Sequence, residues 1–210
     1  MSAGKFSDVW NVPYSDERRH AVVLLSAQRL NKSQLVMSGD KENFNEKEGS
    51  TGVVKGSRSR LEGMRCSLGQ EWSEIDNTCR GRVNAYAWQG TQDSAKELNA
   101  KGYARRTNWR LPTARELHSL RDCSKGFFPE DIDLQDGMGS VKEYCVKFPK
   151  IPTIGKTIFP NMDMAGDEHR YWTSSPSMKN NSAAWYVSFR LGDVGSGIVN
   201  STETMNFQCV

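Results

Sequence analysis

Five cysteines, Cys66, Cys79, Cys123, Cys145 and Cys209, are spread over the last two thirds of the chain, with no CxxC among them. The three histidines, His20, His118 and His169, are isolated in sequence. A zinc site wants its ligands clustered at short spacing, so this pattern favours disulfides over metal. Disulfides in turn imply an oxidising compartment. Buried reduced thiols in a cytosolic protein are the alternative; with two bridges one of the five cysteines is left over, and sequence alone allows about fifteen ways of making two. Cross-linking Cys123 to Cys145 closes a loop of about twenty residues, worth about 3 kcal/mol in the chain-entropy view.

The rest of the composition agrees with a loop-rich fold built on large aromatic anchors. Gly is abundant (18), and six Trp, six Tyr and eight Phe supply rigid packing units. The formal charge of +3 is too mild to argue for nucleic acid. The longest apolar run, Ala21-Val22-Val23-Leu24-Leu25, is far short of the roughly 20 residues that span a bilayer. Neither nucleic-acid binding nor membrane insertion is expected. The first residues lack the order of a signal peptide.

Residues 1–50 read as an N-terminal extension or assembly segment. Ala21–Leu25 within it fits a helix or a strand equally well. A polar run from Gly39 to Gly49 reads as a linker or surface loop. Residues 51–210 read as one α+β domain: two helices, then a twisted antiparallel sheet, with long loops and disulfide staples. Thr91 is the expected cap of a helix reaching about Ala100, with Gly102 just past its end. Thr113-Ala114-Arg115-Glu116 is a capping box, followed by Leu117 and Leu120 at helical spacing. The segment from Cys123 to Pro152 reads as a long insertion without regular structure. Tyr171–Ser175 reads as a strand ending at Pro176. Ala184–Arg190 alternates, with Trp185, Val187 and Phe189 on one face and Tyr186, Ser188 and Arg190 on the other. A turn-rich link, Leu191–Gly197, leads to a strand at Ile198–Ser201, and Met205–Val210 is a final strand.

Several blocks in this order resemble the Legionella collagen-like C-terminal-domain family. They are Arg65-Cys66-Ser67-Leu68-Gly69-Gln70-Glu71-Trp72 with Thr78-Cys79, then Asn108-Trp109-Arg110-Leu111-Pro112-Thr113 with Glu116-Leu117. Ile158-Phe159-Pro160-Asn161, Tyr171-Trp172-Thr173-Ser174-Ser175 and Ala184–Phe189 follow. The resemblance runs from about residue 50 to the C-terminus. It implies a C-type-lectin-like fold and a protein that is extracellular, at the cell surface or periplasmic. The expected bridges are Cys66–Cys79 and Cys123–Cys145, the second lying in a segment longer than usual for the family that brings its own cysteine pair. The chain departs from the family at Leu61-Glu62-Gly63-Met64, which lacks a Trp before the first cysteine. Gln208 stands where many relatives have Arg. Trp109, Trp172 and Trp185 are expected core anchors, and Arg110 a hydrogen-bond hub.

The chain is expected to bind rather than catalyse, with no cofactor and no metal. No histidine pattern supplies a base for a Ser or Thr nucleophile. Glu130, Asp131 and Asp133 read as a solvated acidic loop more readily than as calcium ligands. The formylglycine-generating family has a lectin-like fold and a similar RLPT block, yet Cys145 and Cys209 lack its catalytic cysteine context. Recognition is expected on loops and strand ends: Lys179, Asn180, Asn181, Tyr186, Arg190, Asp193, Ser196 and Asn200. The resemblance implies adhesion to a glycan, including a sulfated glycosaminoglycan, or to a protein receptor. Lys55, Arg58, Arg60, Arg65, Lys101, Arg105, Arg106 and Arg110 are the basic residues suited to sulfate. A diversified receptor-binding protein and a homo-oligomeric subunit of a surface appendage are the alternatives.

Overall fold

The run around Trp185 is the spine of the molecule. A computed structural model describes residues 20–22, 25–26, 52–56, 61–84, 86–129, 131–134, 136, 140–142, 144–146, 151–162, 170–178, 182–199 and 207–208, with backbone pairing only for 20–22, 25–26 and 207–208. In chain order the strands are β1 (His20–Val22), β2 (Leu25–Ser26), β3 (Val53–Lys55), β4 (Glu62–Met64), β5 (Gln70–Ser73) and β6 (Thr78–Gly81). Helix α1 (Trp88–Lys101), β7 (Trp109–Arg110) and α2 (Ala114–His118) follow. Then come β8 (Asp131–Asp133), β9 (Ser140–Lys142), β10 (Arg170–Pro176), β11 (Ala183–Ser188), β12 (Val194–Ile198) and β13 (Phe207–Gln208). The described residues form an α+β arrangement with two helices.

The larger sheet has the order β12-β11-β10-β1-β13. Its β10–β11 and β11–β12 pairs are antiparallel, as expected, but β1 runs parallel to both β10 and β13. A second sheet, β3-β4-β2-β7, is antiparallel throughout. Two short pieces of the segment read as an extension therefore pair as strands, one in each sheet.

Both faces of β10–β11 are covered, which explains why its aromatics are so large. Tyr171, Trp185, Val187 and Phe189 join Leu117 and Leu120 in one buried cluster. Trp172 and Ala184, of opposite parity, join Trp109, Leu111, Met64 and Ala95 in another. The expected anchors Trp109, Trp172 and Trp185 are 2%, 0% and 2% exposed. Burying one such ring is worth about 2–3 kcal/mol in transfer terms.

The helix boundaries differ in one instructive way. Thr91 does not cap α1; the helix starts three residues earlier, at Trp88, after Ala87, which makes no side-chain cap. The Thr91 hydroxyl is fully buried and donates to Trp88 O at 2.5 Å, while Trp88 Nε1 donates to Thr173 O at 2.8 Å. Tertiary anchoring of the indole sets this end instead of a local cap. The other end matches the expectation: Gly102, at φ 75°, donates to Leu98 O. Helix α2 carries the full capping box on Thr113 and Glu116.

Both cysteine bridges form, Cys66–Cys79 and Cys123–Cys145. The first ties Cys66, ahead of the β5–β6 hairpin, to Cys79 on β6 opposite Trp72. There Arg65 lies over the Trp72 ring at 4.1 Å and donates to Ile158 O and Thr157 O. The second spans a segment that is not structureless, since it holds the β8–β9 hairpin, joined by Ile132↔Val141. Strand β12 begins at Val194, four residues before the expected Ile198. Gly195 and Gly197 are strand residues here, because the Tyr186 ring lies across Gly195 from the neighbouring strand: a Cβ at 195 would fall 2.5 Å from Tyr186 Oη. Glycine there admits the ring.

Candidate functional site

Of the residues expected to display a ligand site, Tyr186, Arg190, Asp193 and Ser196 are described. Lys179, Asn180, Asn181 and Asn200 lie outside the described residues, as do Arg58, Arg60, Glu130, His169 and Cys209. Ser196 is exposed opposite Trp185. Tyr186 is half-buried rather than exposed, with the Arg170 guanidinium 4.8 Å from its ring centroid and Trp172 edge-on at 6.2 Å. Arg190 is half-buried and already has an interaction partner. Asp193 turns inward. Burial raises its carboxyl pKa, and the Ser188 hydrogen bond and the charges of Arg170 and Arg121 oppose that rise. It ties the β11–β12 turn to the sheet.

Beneath that turn lies a buried polar cluster that sequence reading missed. Arg121 donates to Gly192 O and, at 2.6 Å, to Lys142 O, and a further N–H reaches His118 Nε2. The same Nε2 lies 3.2 Å from Lys142 O, so one tautomer accepts from Arg121 and the other donates to Lys142 O. Burial is the main cause that takes the His118 pKa down to about 3, helped by the charge of Arg121. Burial likewise brings Arg121 down to about 10, against the pull of Asp193. Arg121-Asp122 carries no motif, which is why no pattern pointed to it.

The basic residues divide into structural and available ones. Arg65 is 6% exposed and spends its donors on the 157–158 carbonyls. Arg110 donates to both Glu116 oxygens, at 2.7 and 2.9 Å, and only once to a carbonyl, that of Leu111. It is a carboxylate partner more than a hub for loop carbonyls. Arg106 pairs with Glu62, Nη2 lying 2.5 Å from Oε1. Lys55, Lys101 and Arg105 are exposed, with no ion pair among the described residues.

Two of those three meet at a cleft of about 450 Å³ lined by Val53, Val54, Lys55, Glu62, Ala104, Arg105 and Arg106. One wall is the β3–β4 hairpin. The other is a two-residue turn in which Tyr103 N donates to Arg106 O (3.0 Å) and Arg106 N to Tyr103 O (2.9 Å). Ala104 and Arg105 both sit at positive φ, 49° and 60°. That is type I′ geometry, which normally selects Asn-Gly, and each non-glycine residue in it costs about 1–2 kcal/mol. The surroundings hold the strain: Trp109 Nε1 donates to Tyr103 O at 3.1 Å and its ring meets Tyr103 edge-on. The Arg106–Glu62 pair joins the two walls, leaving Lys55 and Arg105 facing solvent at the mouth. Such an arrangement attracts an anionic group.

No group of metal-ligating side chains occurs among the described residues, and none of their helices is long and apolar enough to cross a membrane. Comparison with curated proteins and with solved structures gives no match. Comparison with protein families gives one: the Lcl C-terminal domain, over residues 52–210. The matched span holds both disulfides, both helices and the cleft, and the chain belongs to the Lcl C-terminal domain family.

Proposed function

We propose that this is the ligand-binding domain of a surface-associated adhesion protein with a C-type-lectin-like fold. Its partner is a glycan, or another host or partner surface molecule, carrying anionic groups. The observation that carries the reading is the cleft whose lining includes the exposed Lys55 and Arg105, without ion pairs among the described residues. Backbone strain at Ala104 and Arg105 supports it, because strained turns persist where a rigid surround over-determines them, often at binding sites. Ser196 and the β11–β12 strand ends offer a second patch of polar contacts for the same ligand. The reading is of a binder, and the neutral, hydrogen-bonded His118 supports it: a ring with pKa about 3 is a poor base near neutrality.

The test is binding to immobilised heparin, a sulfated polysaccharide, across a salt series. The expected result is retention that weakens as salt rises. The pair Lys55→Glu with Arg105→Glu should lower affinity about tenfold, since each exposed contact is worth about 0.2–1 kcal/mol and reversal adds repulsion. Unchanged retention in that double variant moves the site elsewhere. No retention of the parent at low salt rejects the sulfated-glycan reading.

A further inference from the structure

The two disulfides occupy different surroundings. Cys66 and Cys79 are 1% and 3% exposed, enclosed under the β5–β6 hairpin, with Cys79 Sγ 3.5 Å from Arg65 O. Cys145 is also buried, but Cys123 is half-buried and is followed by exposed Ser124 and Lys125. The second bridge thus contains the least buried of the four bridged cysteines, and exchange depends on access.

That bridge is the floor of the β11–β12 turn. Gly192 lies directly against it: a Cβ at 192 would fall 2.2 Å from Cys145 Sγ and 3.4 Å from Cys123 Sγ. The turn is tied to the same neighbourhood by Arg121, which donates to Gly192 O, and by Thr153, whose N–H and hydroxyl donate to Phe189 O at 2.6 and 2.9 Å. Two thiols cannot stay at bonding distance. Once reduced, they must separate to van der Waals contact, and Gly192 packs against both sulfurs, so their separation presses on the turn.

We propose that Cys123–Cys145 is a thiol–disulfide exchange site, and that its oxidation state sets the conformation of the Phe189–Val194 turn. The reductant is a dithiol. One of its thiolates attacks Cys123 Sγ and forms a mixed disulfide; the Cys123–Cys145 bond breaks, and Cys145 leaves as a thiolate and takes up a proton. The second thiol then attacks the mixed disulfide and releases Cys123 as a thiol. The dithiol ends as a disulfide, having passed two electrons and two protons to the bridge. The turn carries Arg190 and Asp193 between the core residues Phe189 and Val194, so the exchange reaches a strand end of the sheet.

The experiment uses the oxidised full chain under native conditions. Thiols free at the start are first blocked with iodoacetamide. Dithiothreitol is then titrated in, and new thiols are trapped with an isotopically distinct alkylator and mapped by mass spectrometry. Expected are labels on Cys123 and Cys145 while Cys66 and Cys79 stay bridged. Amide exchange across residues 189–194 should rise about tenfold on that partial reduction. Labelling of all four cysteines together, or unchanged exchange in 189–194 after selective reduction, overturns the proposal. A Cys123→Ser, Cys145→Ser double variant gives the open state without reductant. If it folds, its 189–194 exchange must match that of the reduced protein; if it does not fold, the titration alone decides.

Discussion

Glu116 closes its own helix cap and holds Arg110 with one carboxylate. It accepts from Thr113 N at 2.7 Å and from Arg110 Nη2 and Nη1 at 2.7 and 2.9 Å. The side chain is 4% exposed, so its charge is tolerated only because those donors surround it.

Glu116→Ala should therefore cost more than an ordinary cap. The loss of the carboxylate's return bond to Thr113 N and of two charge-assisted bonds to Arg110 comes to about 2–3 kcal/mol, while Thr113 still caps the helix. Glu116→Gln keeps an acceptor for Thr113 N but loses the ion pair, and should cost about half as much. Urea denaturation of both variants reads this out. Equal stability of Glu116→Ala and the parent would sink the assignment.

Gly192 combines two constraints, a φ of 72° and direct contact with the Cys145 sulfur. Gly192→Ala places a methyl in a left-handed backbone and into occupied space, for a loss of about 2–4 kcal/mol. Gly126, also at positive φ (98°), has nothing within 4 Å of its would-be Cβ, so Gly126→Ala is the strain-only control. It should lose only about 1–2 kcal/mol. Thermal or denaturant midpoints of the two variants should separate accordingly.

His118 makes stability depend on acid. Its folded pKa of about 3 lies below the unfolded value near 6.5. Between those values the unfolded chain binds a proton that the folded chain refuses, so stability falls as pH drops from about 6.5 towards 3. The slope from this one group is at most about 1.4 kcal/mol per pH unit. Above pH 6.5 it vanishes. Guanidinium melts from pH 4 to 8 on the parent and on His118→Gln should differ in slope only in the acid range.

Ala104→Gly should stabilise the protein. Relief of the left-handed strain, about 1–2 kcal/mol, outweighs the added freedom of glycine in the unfolded chain, about 0.5–1 kcal/mol. The expected gain is about 1 kcal/mol by denaturant melt, with heparin retention kept or weakened but not improved. A loss of stability would mean that the turn is not held in strain.

What was legible in the sequence was local or came from ordered blocks. The Thr113–Glu116 box is a four-residue device, so its spacing alone foretold the cap. The alternation around Trp185 gave the right faces, because a strand buried on both sides still separates its residues by parity. Thr91 misled for the same reason in reverse: it has a cap residue's chemistry, but a long-range indole bond to Thr173 O moved the helix start. The β8–β9 hairpin was missed because its strands are three residues each, too short for periodicity to register. The cleft was only half visible. Lys55 and Arg105 stand out as basic residues, but their meeting depends on a turn whose Ala104-Arg105 centre carries none of the residues that announce type I′.

The placement of β1 between β10 and β13 has a consequence for how the chain acquires its shape. A strand at residues 20–22 is flanked by partners at 170–176 and 207–208, and its parallel pairings join nearly opposite ends of the sequence. Such contacts form slowly, because a long loop must close before either pairing gives any return. During synthesis the early strand has neither neighbour until residues 170–176 and 207–208 emerge. Completion of the larger sheet is thus a late, whole-chain event, and a truncation before residue 207 leaves an open sheet edge beside β1.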